Sequence, residues 1–149
     1  MPGRVRDFCR GDDGSTLLLT IFYGFLALLV VLIVTAATSL YLERKKLFTL
    51  ADGAALAGAE SFTLDAVAID SGELHAALTT PEIRVAATGY LTAAPHPDLD
   101  ELVLTRADTA DGQSATVTLR AWWRPPVFTL FVPDGLPVEV TAVARSVFH

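Results

Sequence analysis

Few residues in this chain have the types and spacing that catalysis or metal binding requires. The three histidines, His75, His96 and His149, lie far apart and have no second histidine or cysteine at ligand spacing. The single cysteine, Cys9, excludes an internal disulfide. Ser61 and Ser71 lack a plausible base partner, and there is neither a glycine-rich phosphate loop nor a nucleophile elbow. We therefore expect no enzymatic activity, no bound metal and no cofactor.

Acidic residues are the remaining candidates for chemistry. Asp98, Asp100 and Glu101 cluster in a predicted loop, which is typical of a solvated surface. A weak calcium site is the alternative, although calcium needs about six or more oxygen ligands. From residue 47 onward, thirteen acidic residues accompany only five arginines. Because binding to phosphates requires a basic surface, we expect no nucleic-acid partner.

An uncharged segment of 29 residues, Gly14 to Leu42, dominates the N-terminal part of the sequence. A bilayer core about 30 Å thick needs about 20 helical residues, so we predict a transmembrane helix over 15–42 after a short leader, 1–14. A cleavable signal peptide is the alternative, but its apolar part usually has only about 7 to 15 residues. Three cations flank the segment on each side, so charge alone leaves the orientation open.

The helical pattern continues past the membrane segment, over 43–62. Apolar and small residues recur there every three or four positions, which is typical of one helix face, and small residues let another backbone approach closely. This packing face consists of Leu47, Ala51, Ala54, Ala55, Gly58, Ala59 and Phe62. The pattern allows two interpretations, in which the face packs on the chain's own domain or on neighbouring subunits.

The residues around this helix resemble those of a known family. Gly14-Ser15 precedes the apolar segment, and YLERKKL (41–47) and ADGAALAGA (51–59), which contains Asp52, follow it. They resemble the N-terminal region of TadE-type and TadG-type pilus-assembly proteins, and the tail GLPVEVTAVARSVF resembles the last strand of TadE-like proteins. The resemblance implies a component of a tight-adherence (Tad or Flp, type IV-like) pilus or a related secretion system. It implies a cytoplasmic N-terminus, an extracytoplasmic remainder, and contacts with the bilayer and with other subunits.

Similarity to type IV-like prepilins further implies cleavage after a glycine by a prepilin peptidase. Gly14 and Ser15 mark that boundary here, and such pilins usually carry a glutamate at the fifth position of the mature helix. Leu19 occupies this position, and it cannot pair with a neighbouring N-terminal amine as a carboxylate can. We therefore expect a chain that remains anchored, or a minor pilin or pseudopilin that enters a filament rarely or at its end.

Residues 63–149 predict a small extracytoplasmic domain. A helix begins at Thr80-Pro81-Glu82, with Thr80 as its cap. The preceding stretch, 73–78, suggests a further helical turn.

Alternating patterns and turn residues then indicate strands. The predicted strands cover 101–108, 114–123 and 138–148, with a hairpin turn at Asp111-Gly112 between the first two. The predicted fold is α+β: a long N-terminal helix, half transmembrane and half amphipathic, packed on a small antiparallel sheet of about three strands with one extra helix.

An uncharged run, VFTLFV (127–132), separates the last two predicted strands. It forms either a short buried strand or an exposed docking patch for a partner or a membrane surface. The docking patch would contain Trp122, Trp123, Phe128, Leu130 and Phe131.

The sequence thus predicts a single-pass structural or assembly protein that acts by helix packing. One alternative is a membrane-anchored ectodomain with a sensor or regulatory role, which would need a partner for output because only about 14 residues precede the span. The other is a secreted domain released by signal peptidase.

Overall fold

The computed structural model describes residues 13–62, 67–70, 73–76, 78–96, 99–125 and 134–145. Within them the chain forms two helices and five strands, and its contacts divide it into two compact units between Thr38 and Ser39. The predicted α+β class is confirmed. The elements are α1 (Asp13–Ala59), β1 (Val67–Asp70), β2 (Glu73–Ala76), α2 (Thr80–Ala93), β3 (Asp100–Asp108), β4 (Ser114–Trp123) and β5 (Leu136–Arg145).

The start of α2 differs from the prediction by one residue. Thr79, not Thr80, is the N-cap, since its backbone is extended (φ −112°, ψ 145°) while Thr80 is already helical. Pro81 fits the first turn because the missing N–H would have no helical partner there. The Thr79 hydroxyl bonds the Glu82 carboxylate at 2.7 Å instead of capping a backbone N–H.

The predicted helical turn over 73–78 is wrong, because the structure forms a hairpin of β1 and β2. The two strands pair antiparallel, with Asp70 opposite Glu73. The two residues between them read Ser71-Gly72, and a serine–glycine pair is a turn signal that the helical interpretation overlooked. Four-residue segments are too short for periodicity to separate a strand from a helical turn.

The main sheet has the order β3-β4-β5, all antiparallel. Strands β4 and β5 pair without interruption from Ser114↔Arg145 to Trp123↔Leu136. The pairing of β3 with β4 shifts register twice, and Glu101 has a positive φ of 51° at the first shift. A shift of this kind is a bulge, which bends an edge strand away from regular pairing.

One face of the sheet is dry, as the alternation in β4 and β5 predicts. Its members lie in a single hydrophobic core with residues of both helices, whereas the opposite face of β5 is exposed, including Glu139 and Thr141. A sheet with one packed and one solvated face is usual for antiparallel strands. The buried sheet residues of this core are Ala107, Ala115, Val117, Leu119, Ala121, Val140 and Ala142. Trp123 and Thr118 are also buried.

The second half of α1 runs along β4 in the opposite direction. At one end the Trp123 Nε1–H donates to the Ser39 hydroxyl at 3.2 Å, and at the other a Cβ placed on Gly58 would lie 3.2 Å from the Ala115 Cβ. Nineteen helical steps from Ser39 to Gly58 span about 28 Å. Eight strand steps from Ala115 to Trp123 span about 26 Å, so helix and strand match in length.

The turn between β3 and β4 is organised by Asp111. Its Oδ1 accepts hydrogen bonds from the backbone N–H of Gln113 at 2.9 Å, and from the hydroxyl and backbone N–H of Ser114 at 2.7 and 2.8 Å. These bonds favour the ionised carboxylate and hold the pKa of Asp111 well below its usual range.

We expect Asp111→Asn to lower the free energy of unfolding by about 1 kcal/mol at pH 7, because the charge-assisted bonds weaken. The folded pKa lies below the unfolded value of about 4. The contribution of Asp111 is therefore complete above about pH 4 and is lost as the pH falls through the folded pKa. Chemical unfolding of the detergent-solubilised chains should therefore show a smaller difference in the free energy of unfolding between Asp111→Asn and the unaltered chain at pH 2.5 than at pH 7.

Asp52→Asn is the control for this prediction, since Asp52 is exposed on α1. It should leave stability nearly unchanged at both pH values. The prediction would be contradicted if the difference in free energy of unfolding between Asp111→Asn and the unaltered chain were the same at both pH values.

Candidate functional site

The packing face of α1 is covered by the chain itself. Five of its aliphatic members have no exposed surface: Leu47, Ala51, Ala54, Ala55 and Ala59. Gly58 is buried as well, and Phe62 is half-buried against the same core. Of the two interpretations that the sequence allowed, the structure shows packing on the chain's own domain.

Two glycines explain why this part of α1 needs small residues. A Cβ on Gly58 would lie 2.9 Å from Ile83 Cγ2 of α2, and a Cβ on Gly53 would overlap the ring of Tyr90. Because Ile83 lies at Gly58 and Tyr90 at Gly53, α2 runs antiparallel to α1. Small side chains at the crossing let the two backbones approach, as the predicted small-residue row requires.

The opposite side of this helical stretch is exposed and not purely polar. Phe48 is 49% exposed and Leu56 is 51% exposed, with the exposed Asp52 between them at spacings of four residues. Residues four apart lie on one helix face, so these three form what we call the exposed stripe. Asp52 was predicted from the ADGAALAGA motif, whereas Phe48 and Leu56 were not predicted, although the four-residue spacing of these three residues was a usable signal.

The apolar N-terminal part of α1 exposes its side chains throughout. None of the described side chains from Ser15 to Thr38 is buried, and one helix within the described residues, Ser15–Ala59, is long and apolar enough to cross a membrane. The hydroxyls of Thr20 and Thr35 donate to the carbonyls of Thr16 and Val31 at 2.9 and 2.8 Å. Such backbonding satisfies the hydroxyl within the helix, as an environment without water demands.

The proposed processing boundary lies in the first turn of this helix. Gly14 follows Asp13, where α1 begins, and Ser15 is exposed. Leu19, which stands where a pilin-type glutamate is expected, is 55% exposed. The apolar side chain of Leu19 faces the surroundings of the helix, not the chain's own core.

The predicted docking patch is described only in part. Trp122 is half-buried, and Trp123 is 8% exposed and belongs to the helix-facing side of the sheet. Phe128, Leu130 and Phe131 lie outside the described residues. For the two tryptophans, the structure shows a packed strand end at which Trp123 bonds Ser39.

The acidic cluster is engaged by an arginine. Arg124 bonds the carboxylate of Asp100 at 2.8 Å and that of Glu101 at 3.2 Å, which holds the bulged start of β3 against the end of β4. Asp98 and the side chains of His75 and His149 lie outside the described residues. In the part of the chain that is described, no three metal-ligating side chains come together.

The described part of the chain also contains a groove of about 430 Å³ between α1 and the C-terminal end of α2. Its walls include Lys46, Tyr90 and His96 among mostly apolar atoms, and no carboxylate or cysteine lines it. The His96 Nδ1 lies 2.8 Å from the carbonyl oxygen of Ala94. Covalent catalysis requires at least a nucleophile with an adjacent base. The residues that line this groove do not form such a pair.

The described residues define an α+β protein built on a single long helix, apolar in its first half and small-residue packed in its second. Residues 14–61 match the family described as putative Flp pilus-assembly TadE/G-like. The TadE/G-like resemblance is thereby confirmed for this segment, which contains the apolar part of α1 and its packing face from Leu47 to Ala59. No curated protein and no solved structure matches the chain.

Proposed function

We propose that this protein is a membrane-anchored component of a Tad/Flp-type pilus or a related secretion system. The observation that carries the proposal is the extent of the TadE/G-like match, 14–61. It covers the apolar half of α1 and continues through the buried packing face. A signal sequence or simple anchor would need only the first of these.

The apolar half of α1 serves as the anchor in this proposal. From Ser15 to Thr38 it has 24 residues, or about 36 Å of helix, which exceeds the bilayer core of about 30 Å. The N-terminus is cytoplasmic and the unit from Ser39 onward extracytoplasmic, as in the proteins that the segment resembles. The chain acts by packing against partners and not by catalysis.

The exposed stripe is the surface we assign to contacts with neighbouring subunits. Phe48 and Leu56 leave apolar area in water on a helix whose other face is already covered, and apolar exposure on a rigid helix favours helix-in-groove docking. Asp52 lies between them and supplies a charge that can select a basic partner. The packing face cannot make these contacts because it is buried.

Leu19 limits the role within the filament. The glutamate of such pilins pairs with a neighbouring N-terminal amine. Without it, the helix lacks the charge pair that would position it against neighbouring subunits in the filament shaft. We therefore propose a permanently anchored assembly factor or a minor subunit. Prepilin peptidase is a partner only if cleavage occurs after Gly14.

Deletion and complementation in the bacterium that carries the chain test the proposal. Loss of the chain should abolish or strongly reduce surface pili, and the unaltered chain should restore them. Leu56→Lys should restore fewer pili at an equal protein level, because it places a charge in the exposed stripe. Val85→Lys is the matched control, since Val85 is 73% exposed on α2 outside the stripe.

Unchanged pili in the deletion strain would overturn the pilus function. Intact mass of the exported protein gives the N-terminus independently: a start at Ser15 indicates prepilin peptidase, a start near Ala37 indicates signal peptidase, and Met1 or Pro2 indicates a permanent anchor. A start near Ala37 would exclude the proposed anchor.

A further inference from the structure

Both tryptophans of the chain lie at one end of the sheet in the unit from Ser39 onward. Trp122 and Trp123 end β4, where their cross-strand partners are Pro137 and Leu136. Leu136 is 48% exposed although it opposes the buried Trp123. We call this strand end, formed by Trp122, Trp123 and Leu136, the tryptophan end.

The tryptophan end lies where the unit's own stretch of α1 begins. The Trp123 indole N–H donates to the hydroxyl of Ser39, the first residue of the unit, while Gly58 lies at the opposite end of β4 beside Ala115. Ser39 belongs to the uncharged run that ends at Leu42. The direction of α1 along β4 therefore puts the tryptophan end, and no other end of the sheet, beside the last residues of the apolar run.

The side chains at this level have the composition of a membrane interface. Tyr41 is 65% exposed and Leu42 is 51% exposed, and Arg44 and Lys45 follow within one turn, both exposed. Tryptophan and tyrosine are enriched where the hydrocarbon core meets the headgroups, and cations at that depth reach lipid phosphates.

Two of the acidic residues nearby are paired with an arginine, and Glu43, between Leu42 and Arg44, is half-buried. Asp100, opposite Trp122 in the sheet, and Glu101 are both bonded by Arg124. That arginine offsets one of their two negative charges at the strand end. The hydrogen bond between Trp123 and Ser39 fixes the strand end to the helix, so little conformational freedom is lost on contact with lipid.

We infer that the tryptophan end rests in the interfacial layer of the bilayer that α1 spans, so that lipid covers Leu136 and Trp122. The inference rests on the proposed membrane anchoring, and it adds a second contact between the protein and the membrane. Its occupant is the bilayer of the chain's own anchor. The contact leaves the exposed stripe free for partners.

Tryptophan fluorescence tests this directly, because the chain has only these two tryptophans. The full chain is placed in nanodiscs of phosphatidylcholine and phosphatidylglycerol that carry a doxyl quencher at carbon 5 or carbon 12 of the acyl chain. Trp122→Phe and Trp123→Phe each leave one emitter. We expect the carbon-5 label to reduce emission at least twofold in both variants, and the carbon-12 label to reduce it less.

A pair of substitutions on β5 supplies the matched control. Leu136→Asp should at least halve the quenching, because it puts a charge into the lipid contact. Val143→Asp, at a residue 60% exposed near the other end of the same strand, should leave the quenching unchanged. Both variants should unfold in detergent at the same denaturant concentration as the unaltered chain.

The outcomes separate this inference from the anchor. A chain that co-elutes with nanodiscs but shows no quenching by either label would overturn the inference and leave the anchor intact. Emission that changes with protein density in the nanodisc, without quenching, would overturn it in favour of a subunit contact. Failure to co-elute with nanodiscs would overturn both.

Discussion

Gly58→Leu is expected to destabilise strongly the unit that begins at Ser39. Even the first carbon of a new side chain would lie 2.9 Å from Ile83 Cγ2 and 3.2 Å from the Ala115 Cβ, and the flanking Ala54, Ala55 and Ala59 have no exposed surface. Overpacking of this kind costs about 3 kcal/mol. Native domains have only about 5 to 15 kcal/mol of net stability, so we expect the unit to lose a large part of it and to unfold at a markedly lower denaturant concentration.

Gly89→Leu separates the effect of packing from that of removing a helical glycine. Gly89 lies inside α2, and a Cβ there would meet no heavy atom within 4 Å. This variant should gain up to about 1 kcal/mol from helix propensity. Tryptophan emission of the detergent-solubilised chain reports on the unit alone, because both tryptophans lie in it. Equal stability of the two variants would contradict the proposed close approach of α1, α2 and β4.

Leu29→Arg should impair membrane insertion. Leu29 lies near the middle of the uncharged segment and is 41% exposed, so an arginine there would face hydrocarbon. The cost on insertion scales is about 2.5 to 3.5 kcal/mol at the helix centre. That corresponds to at least a fifty-fold shift in the insertion equilibrium, using about 1.4 kcal/mol per tenfold change.

Leu56→Arg is the control, because it makes the same substitution at another exposed position of α1, beyond the predicted span. Carbonate extraction of membranes should release Leu29→Arg and retain Leu56→Arg. Retention of both variants would contradict a bilayer-spanning role for the segment, whereas release of both would place the membrane boundary beyond residue 56.

The helices and strands were largely predictable because their signals are local. Strand β4 was predicted with the bounds that the structure shows, since alternating apolar residues follow the turn at Asp111. The hairpin of β1 and β2 was missed because two four-residue strands give too short a pattern to distinguish from helix. The cap of α2 was misplaced by one residue because two threonines are adjacent, and only the backbone angles of Thr79 identify the cap.

The site was predictable in its residues but not in their partners. Periodicity identified the packing face of α1, yet it left open whether this face packs on the chain's own domain or on neighbouring subunits. Only the structure shows Ile83 and Ala115 against Gly58, and that contact commits the face to the chain's own core. The bond between Trp123 and Ser39, 84 positions apart, has no local signature in the sequence.

The sequence alone determined that a long apolar helix leads into an alanine-rich one, and that this continuous segment is TadE/G-like. Hydrophobicity, small-residue spacing and the absence of charge are properties of residues close together in the sequence, so they can be recognised without a tertiary structure. The tertiary structure decided which helix face is covered, which stripe stays exposed and which end of the sheet lies beside the apolar run. Those outcomes depend on contacts between residues distant in sequence, such as Gly58 with Ala115 and Ser39 with Trp123, whose geometry is set when the helix packs along β4.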